Sequence, residues 1–480
     1  MAVRGRAGAR RAGSTSANYG RRRPASDSEM QPTRKSTQRE RLLHGMIEAA
    51  NHGGYAGANV SAVIAGAGVS RPTFYEYFSS RDECFTAAIE DVHAQMQALV
   101  DERLAARPAN EAACAAVEAL VSFASAEPAQ ARFAMSEALA GGAQGREARD
   151  AGIAQIAESI ELALAAADED SIAPDVEHRV LIGGVYRLIA PRLRRGEPAI
   201  SRLTDELERW LATYRRPLRN HRWRALRPAP RLAPSPHVPE EPIQRMPNAL
   251  PPGRPRISEE EVAENHRLRI LYAAARMAEQ KGYIATTVAD ITRLAGVDGR
   301  IFYGLFSDKQ DAFLSVHELG YAQVMDLTSK AFFSGETWPV RSWEGGRALT
   351  QLLEDNPLVA HVGFVEAYAV GPAAIQRVED SHIAFTFFLQ EGLVYRKQRN
   401  PPSGLAMEAI VTSIFEIIYL QARDHGKPEV SAMLPHIAHL WLTPFLGVRE
   451  GDEFIDERLA DTTPADRSRT AAASGERPAG

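Results

Sequence analysis

The sequence predicts an all-α protein built from two similar helical units. Three observations carry that expectation. A stretch at 67–85, AGVSRPTFYEYFSSRDECF, returns at 295–313 as AGVDGRIFYGLFSDKQDAF. Gly68 thereby pairs with Gly296, Tyr75 with Tyr303 and Phe78 with Phe306, each 228 positions on and without a gap. A self-match at a fixed long period marks a duplicated unit. The apolar residues ahead of each copy keep a helical rhythm: Leu42, Leu43, Met46, Ile47 and Ala50, then Ile270, Leu271, Ala274, Ala275 and Ala278. Each set is one face of an amphipathic helix. No convincing period-2 run or hairpin signal appears anywhere.

Residues 1–35 are rich in Arg, Ser, Gly and Ala with little to bury, and read as a disordered basic tail. A three-helix domain is expected over 36–85. Its first helix stops near Gly54, and Asn59 caps a short second helix that begins at Val60. Gly68 makes a tight turn, and Ser70 caps a third helix with Pro72 in its first turn. Helical segments follow over 86–215. Composition then shifts to Pro and Arg over 216–256, which reads as a linker. The order repeats as a three-helix domain at 257–313, helices over 314–448 and a loose polar tail at 449–480. The duplication persists beyond the first match. Glu137 corresponds to Glu366 at an offset of 229, and Pro198 to Pro428 at 230. Val180, Leu181, Val185 and Leu188 correspond to Ile410, Val411, Phe415 and Ile418, two apolar stripes suited to a shared interface.

The chain has 480 residues, 45% of them hydrophobic, so it can bury real cores in more than one domain. Net charge is only −5, so attraction to phosphate must come from local clusters. Arg21, Arg22 and Arg23 follow Arg10 and Arg11, and a second cluster includes Arg215, Arg216, Arg219, Arg222 and Arg224. Two cysteines, Cys84 and Cys114, are too few for a disulfide framework, which fits a reducing compartment. No membrane span is expected, because apolar runs such as 410–420 are short and carry Glu416. The basic N-terminus lacks the apolar stretch of a signal peptide. A cytoplasmic protein is expected.

Helix, short turn and helix is the arrangement whose second helix enters the major groove of DNA, N-terminus first. In the first copy that helix carries Arg71, Thr73 and Tyr75. Arg reads guanine, the Thr methyl meets thymine, and Tyr hydroxyls bond phosphate. Phe74 and Phe78 have core spacing, which turns Tyr75 outward. Arg81 stands just beyond as a clamp on the DNA backbone. With these residues on the page, 39–85 resembles the DNA-binding domain of the TetR/AcrR family of bacterial regulators. Residues 267–313 resemble it at least as well, through Lys281-Gly-Tyr283, Thr286 to Ile291, Ala295-Gly-Val297 and Phe302-Tyr303-Gly-Leu-Phe306. The resemblance implies DNA-binding contacts at Asn59, Ser70, Arg71, Thr73, Tyr75 and Arg81. It also implies a helical C-terminal ligand and dimerisation domain in each unit, double-stranded DNA as partner, and room for a small-molecule effector.

The second copy departs from the first. Asp298 replaces Ser70, Gly299 stands opposite Arg71, and Arg300 takes the place of Pro72. Its candidate contacts are Thr287, Asp298, Arg300, Tyr303 and Lys309, the last as the phosphate clamp. Ahead of it, Pro-Gly-Arg254-Pro-Arg256 resembles an AT-hook core, whose Arg residues lie in a narrow minor groove. Gly66 inside a short helix costs roughly 1 kcal/mol relative to Ala.

Elsewhere the chemistry is sparse. Gly141 to Gly145 lacks the Lys-Ser/Thr ending of a phosphate loop. His436 and His439 share a helix face without further ligands, so neither a metal nor a cofactor is expected, and no catalytic constellation is visible. Glu137 and Glu366 read as buried ion pairs in preference to pocket carboxylates. Arg132, His361 and Tyr368 complete the set of pocket candidates. The expected function is a sequence-specific transcriptional regulator, repressing by operator occlusion, with two unlike heads paired within one chain or in a homodimer. The alternative is a helical ligand-binding or interaction module whose heads no longer hold DNA.

Overall fold

The computed structural model describes residues 37–230, 232–239, 245–250, 258–395, 401–423 and 428–462. Arg254, Arg256, the expected basic tail at 1–35 and residues 463–480 lie outside the described residues, while the loose tail expected from 449 is corrected over 449–462, which is helical. The first three-helix domain consists of α1 (Gln38–Gly57), α2 (Val60–Ala67) and α3 (Arg71–Tyr77). Leu42, Leu43, Met46, Ile47 and Ala50 of α1 are all buried. The local signals work as the residue types require. Gly54 breaks α1 at φ +65°, Asn59 accepts the Ala62 amide, and Gly68 takes the left-handed turn at φ +61°. Ser70 caps α3 by accepting the Thr73 amide.

Gly66 is better explained by packing than by degeneracy. A Cβ there would sit 3.4 Å from Cα of Gly45, and one on Gly45 would sit 2.7 Å from the Val63 carbonyl oxygen. Two facing glycines let α1 and α2 approach closely. The second domain has Ala273 and Leu294 at these places. Gly45→Ala is therefore expected to cost about 1–3 kcal/mol as the helices part. Hydrogen exchange in α2 and α3 checks this, through faster exchange confined to the first domain.

α4 (Arg81–Ala106) and α5 (Ala112–Ala126) lead from this domain into a helical body. A broken helix follows: α6 (Pro128–Arg132), a wide π-turn at Phe133–Glu137, and α7 (Ala138–Ala140). The half is completed by α8 (Gly142–Ala165), α9 (His178–Arg194) and α10 (Leu203–Ala212). The second half repeats the plan with α11 (Glu259–Lys281), α12 (Val288–Ala295), α13 (Gly299–Leu305), α14 (Lys309–Phe332) and α15 (Trp338–Asp355). Its broken helix is α16 (Pro357–His361), a π-turn at Val362–Glu366, and α17 (Ala367–Val370). α18 (Pro372–Tyr395), α19 (Gly404–Ala422), α20 (Leu434–Leu446) and α21 (Val448–Thr462) end the fold. Both π-turns close on the matched carboxylates, Glu137 and Glu366.

The strand-free expectation needs one small correction. Ile172–Pro174 (β1) pairs antiparallel with Arg215–Pro217 (β2). The tether expected over 216–256 departs further. Trp223 is buried, stacked 5.0 Å from the His439 ring, and the Ala229 amide donates to the Ala432 carbonyl. The Arg cluster there is spent on carboxylates: Arg216 on Asp175 and Asp452, Arg222 on Asp456, Arg224 on Glu161, and Arg219 on Asp170. This part of the segment is a strap laid across the second half, so neither a free coil nor a phosphate-seeking patch describes it. His436 and His439 serve the strap: His436 faces the Ala225 carbonyl at 3.0 Å and His439 that of Asp175 at 2.8 Å.

The halves meet along α9 and α19, which pack side by side with α10 against α19. One apolar core runs through the first domain and both helical bodies, while the second DNA-binding domain keeps its own around Phe302 and Phe313. α19 is long and apolar enough to cross a membrane by length and composition, but it is mostly buried and carries Glu416. Cys84 and Cys114 are buried and unbridged.

Candidate nucleic-acid interface

The two copies of the turn-and-helix build nearly the same surface. Phe74 and Phe302 are fully buried, and Phe78 and Phe306 nearly so, which fixes the face that α3 and α13 turn inward. Tyr75 is then 49% exposed and Tyr303 62% exposed. Each tyrosine meets its neighbouring phenylalanine edge-on at 5.3 Å, which orients the ring without covering its hydroxyl. Arg71 is exposed, with its guanidinium 5.9 Å from the Tyr75 ring, and Arg300 is exposed on α13. Ser70 and Thr73 bond each other at 2.9 Å, so a base or phosphate would have to share that pair. Tyr77, also 42% exposed, lies on the same short helix.

Several candidates are occupied by local structure. Asn59 and Thr287 cap α2 and α12, and Thr287 also exchanges bonds with Asp290. Asp298 accepts the Arg300 and Ile301 amides and so is engaged in capping α13. The two clamp residues are engaged with their own domains in the structure. Lys309 donates to the carbonyls of Tyr283, Ile284 and Thr286 at 3.0, 3.3 and 2.9 Å, and its ammonium sits 4.3 Å from the Tyr283 ring centre. An ammonium has three donors, so a phosphate would have to displace one of these carbonyls, and burial holds the Lys309 pKa down. Arg81 lies 4.2 Å over the Tyr55 ring and pairs with Asp82 at 2.7 Å. Both side chains pin the loop before the second helix of their domain. The sequence missed this because it shows a basic residue but not the carbonyls that close around it.

The pocket candidates divide. Arg132, Glu137 and Tyr368 line a cleft of about 900 Å³ that also touches loops of both domains, through Tyr55 and Arg81 on one side and Tyr283 and Lys309 on the other. His361 and Glu366 form a separate structural pair at 3.5 Å. Glu366 also pairs with Arg146 of the first half at 3.3 Å and accepts the Tyr283 amide at 2.8 Å. It thus ties the second DNA-binding domain to the opposite half. Burial works to raise its pKa, but His361, Arg146 and the Tyr283 amide outweigh it and hold the carboxyl below its usual range. Glu137, 3.5 Å from Arg132, goes the other way: burial dominates and its pKa rises. The Arg146 link was invisible in the sequence, where only the 229-residue match singled out Glu366.

The family model for bacterial regulatory proteins of the tetR family matches this chain twice, at residues 42–88 and 270–316. The chain thus carries two tetR-family DNA-binding domains in tandem. No curated protein matches it. Among solved structures, one described as a TetR-family transcriptional regulator, from Syntrophomonas wolfei str. Goettingen, is similar at 18% identity and a TM-score of 0.28. That match covers 45% of this chain and 99% of the other. The matched domains span both exposed-tyrosine surfaces, and they make the tandem TetR chain a DNA-binding transcriptional regulator.

Proposed function

We propose that one chain acts as a pseudo-dimer on an asymmetric operator and represses by occluding it. The observation that carries this reading is the side-by-side packing of α9 and α19, with one exposed tyrosine helix in each half. The heads differ at Arg71 and Gly299 and at Pro72 and Arg300, so the two half-sites should differ in sequence. Half-sites one turn apart lie about 34–36 Å from each other. Base contacts fall to Arg71, Thr73 and Arg300, and phosphate contacts to Tyr75 and Tyr303. Arg254 and Arg256 add minor-groove contact. The protein works in the cytoplasm, where its DNA is.

Effector control acts through the cleft beneath the two heads. A small molecule there would touch Tyr55 and Tyr283 together and shift the population of head spacings. A gel shift on the DNA upstream of the chain's own coding sequence tests the function. The expected result is sequence-selective binding that weakens steeply with salt. Asp298 and the internally bound Lys309 favour one other reading, an interaction module with a silent second head. Absence of selective, salt-sensitive binding would favour that module.

A further inference from the structure

The surface joining the halves is built from unlike parts, and this decides what it can pair with. Glu416 of α19 is buried between two arginines of the first half. Arg149 of α8 reaches it at 3.0 Å and Arg187 of α9 at 2.7 Å. Arg187 also donates to the Tyr368 hydroxyl at 2.5 Å. Beside them Asp150 accepts from Arg149 at 2.8 Å, from Tyr419 at 3.0 Å and from Arg423 at 2.6 Å. The backbones approach where α9 has no side chain. A Cβ on Gly183 would lie 2.3 Å from Cδ of Glu416, and one on Gly184 would lie 2.4 Å from Oγ of Ser413.

The 230-residue correspondence shows what each half would meet in a copy of itself. Gly183 corresponds to Ser413, Tyr186 to Glu416 and Arg187 to Ile417. The place of Arg149 falls on Val378 or Glu379, neither a cation. Two first halves would therefore bring four buried guanidiniums to the seam, with Tyr186 where Glu416 is needed. Two second halves would bring two buried carboxylates without either arginine. They would also put the Ser413 side chain into the space that Glu416 fills only because Gly183 is bare. Arg149 would keep Asp150 beside it, but Arg187 would have no carboxylate, and a buried charge left so is strongly unfavourable. A side chain at the place of Gly183 would also force Glu416 out of its buried position.

We infer that this seam is an obligately heterotypic interaction surface: each half accepts only the unlike half as partner and rejects a second copy of itself. The peripheral pairs do not discriminate. Glu379 binds Arg194 across the seam much as Asp150 binds Arg423, so a pair of like halves would retain contacts of that kind. Discrimination resides in Gly183, Gly184, Arg149 and Arg187 against Ser413 and Glu416. A built-in veto of this kind is specificity by exclusion of the wrong pair. It rests on pairing of the halves within the chain and not on DNA binding.

The experiment contains no DNA, so its failure is separate from failure of the regulator reading. The full chain carries a protease site between Pro251 and Arg256 and is cut only after folding. Cut protein affinity-tagged on its first half and untagged cut protein are then mixed and left to exchange halves. Tagged first half is expected to capture second half, and to capture untagged first half at least about 100-fold less. Comparable capture of first half by first half overturns the inference. A second arm carries Arg149→Met and Arg187→Leu in both first halves. Two bare-glycine helices without buried cations should now capture each other. If these variants still ignore one another, charge is not what forbids the pairing, and the inference falls.

Discussion

Glu416→Ala should destabilise the chain by about 3–5 kcal/mol, because it leaves Arg149 and Arg187 buried without their carboxylate. Both guanidiniums are almost wholly buried, so water cannot replace the lost partner. Thermal or denaturant unfolding measures the loss. Replacing the trio together, by Glu416→Leu, Arg149→Met and Arg187→Leu, should recover most of it, since an apolar seam has no unpaired charge to hold. A single substitution with no measurable effect would mean that the arginines find other partners. The same carboxylate predicts a pH dependence. Burial opposes ionisation of Glu416, but Arg149 and Arg187 prevail and hold its pKa down at about 2, against 4.5 for an ordinary Glu. A depressed folded pKa stabilises fully above the unfolded value. That stability is lost as pH falls from about 5 toward 2. Glu416→Gln should flatten that acid limb of the stability profile.

Tyr75→Ala and Tyr303→Ala combined should lower operator affinity further than either change alone. A hydrogen bond to a charged phosphate contributes about 1.5–3 kcal/mol, so each tyrosine is expected to account for roughly 10–100-fold. A tyrosine brings no positive charge to the phosphates, so the slope of affinity against salt should stay near that of the unaltered chain. Arg71→Ala or Arg300→Ala should instead relax base preference at one position of its half-site, at a cost of about 1–3 kcal/mol. Because the heads differ, Tyr75→Ala should weaken protection of one half-site and Tyr303→Ala of the other. Footprinting on a bound fragment separates these outcomes. Equal loss on both sides from one substitution would mean that the tyrosines act through the fold and not on DNA.

Much of the heads was legible in the sequence because local rules decide them. Gly68 and Gly296 must take positive φ, Ser70 and Asp298 must cap, and Phe74 and Phe302 must face in, which sends Tyr75 and Tyr303 outward. These are short-range consequences of residue type. The roles that stayed hidden depend on distant partners. Lys309 and Arg81 read as phosphate clamps, and nothing local shows the carbonyls and the Tyr55 ring that they also hold. The Arg-rich 216–224 stretch looked like a free linker until Asp452 and Asp456, more than 200 positions away, took its charges. Glu416 drew notice only as a charge in an apolar run. Nothing local reveals that two arginines from the other half surround it.

The central claim is that one chain supplies both reading heads. The mass of the complex on a minimal operator fragment tests it most directly, by native mass spectrometry or light scattering at low salt. One 52.5 kDa chain per duplex is the expected result. Two chains on the shortest fragment that retains full affinity would contradict it.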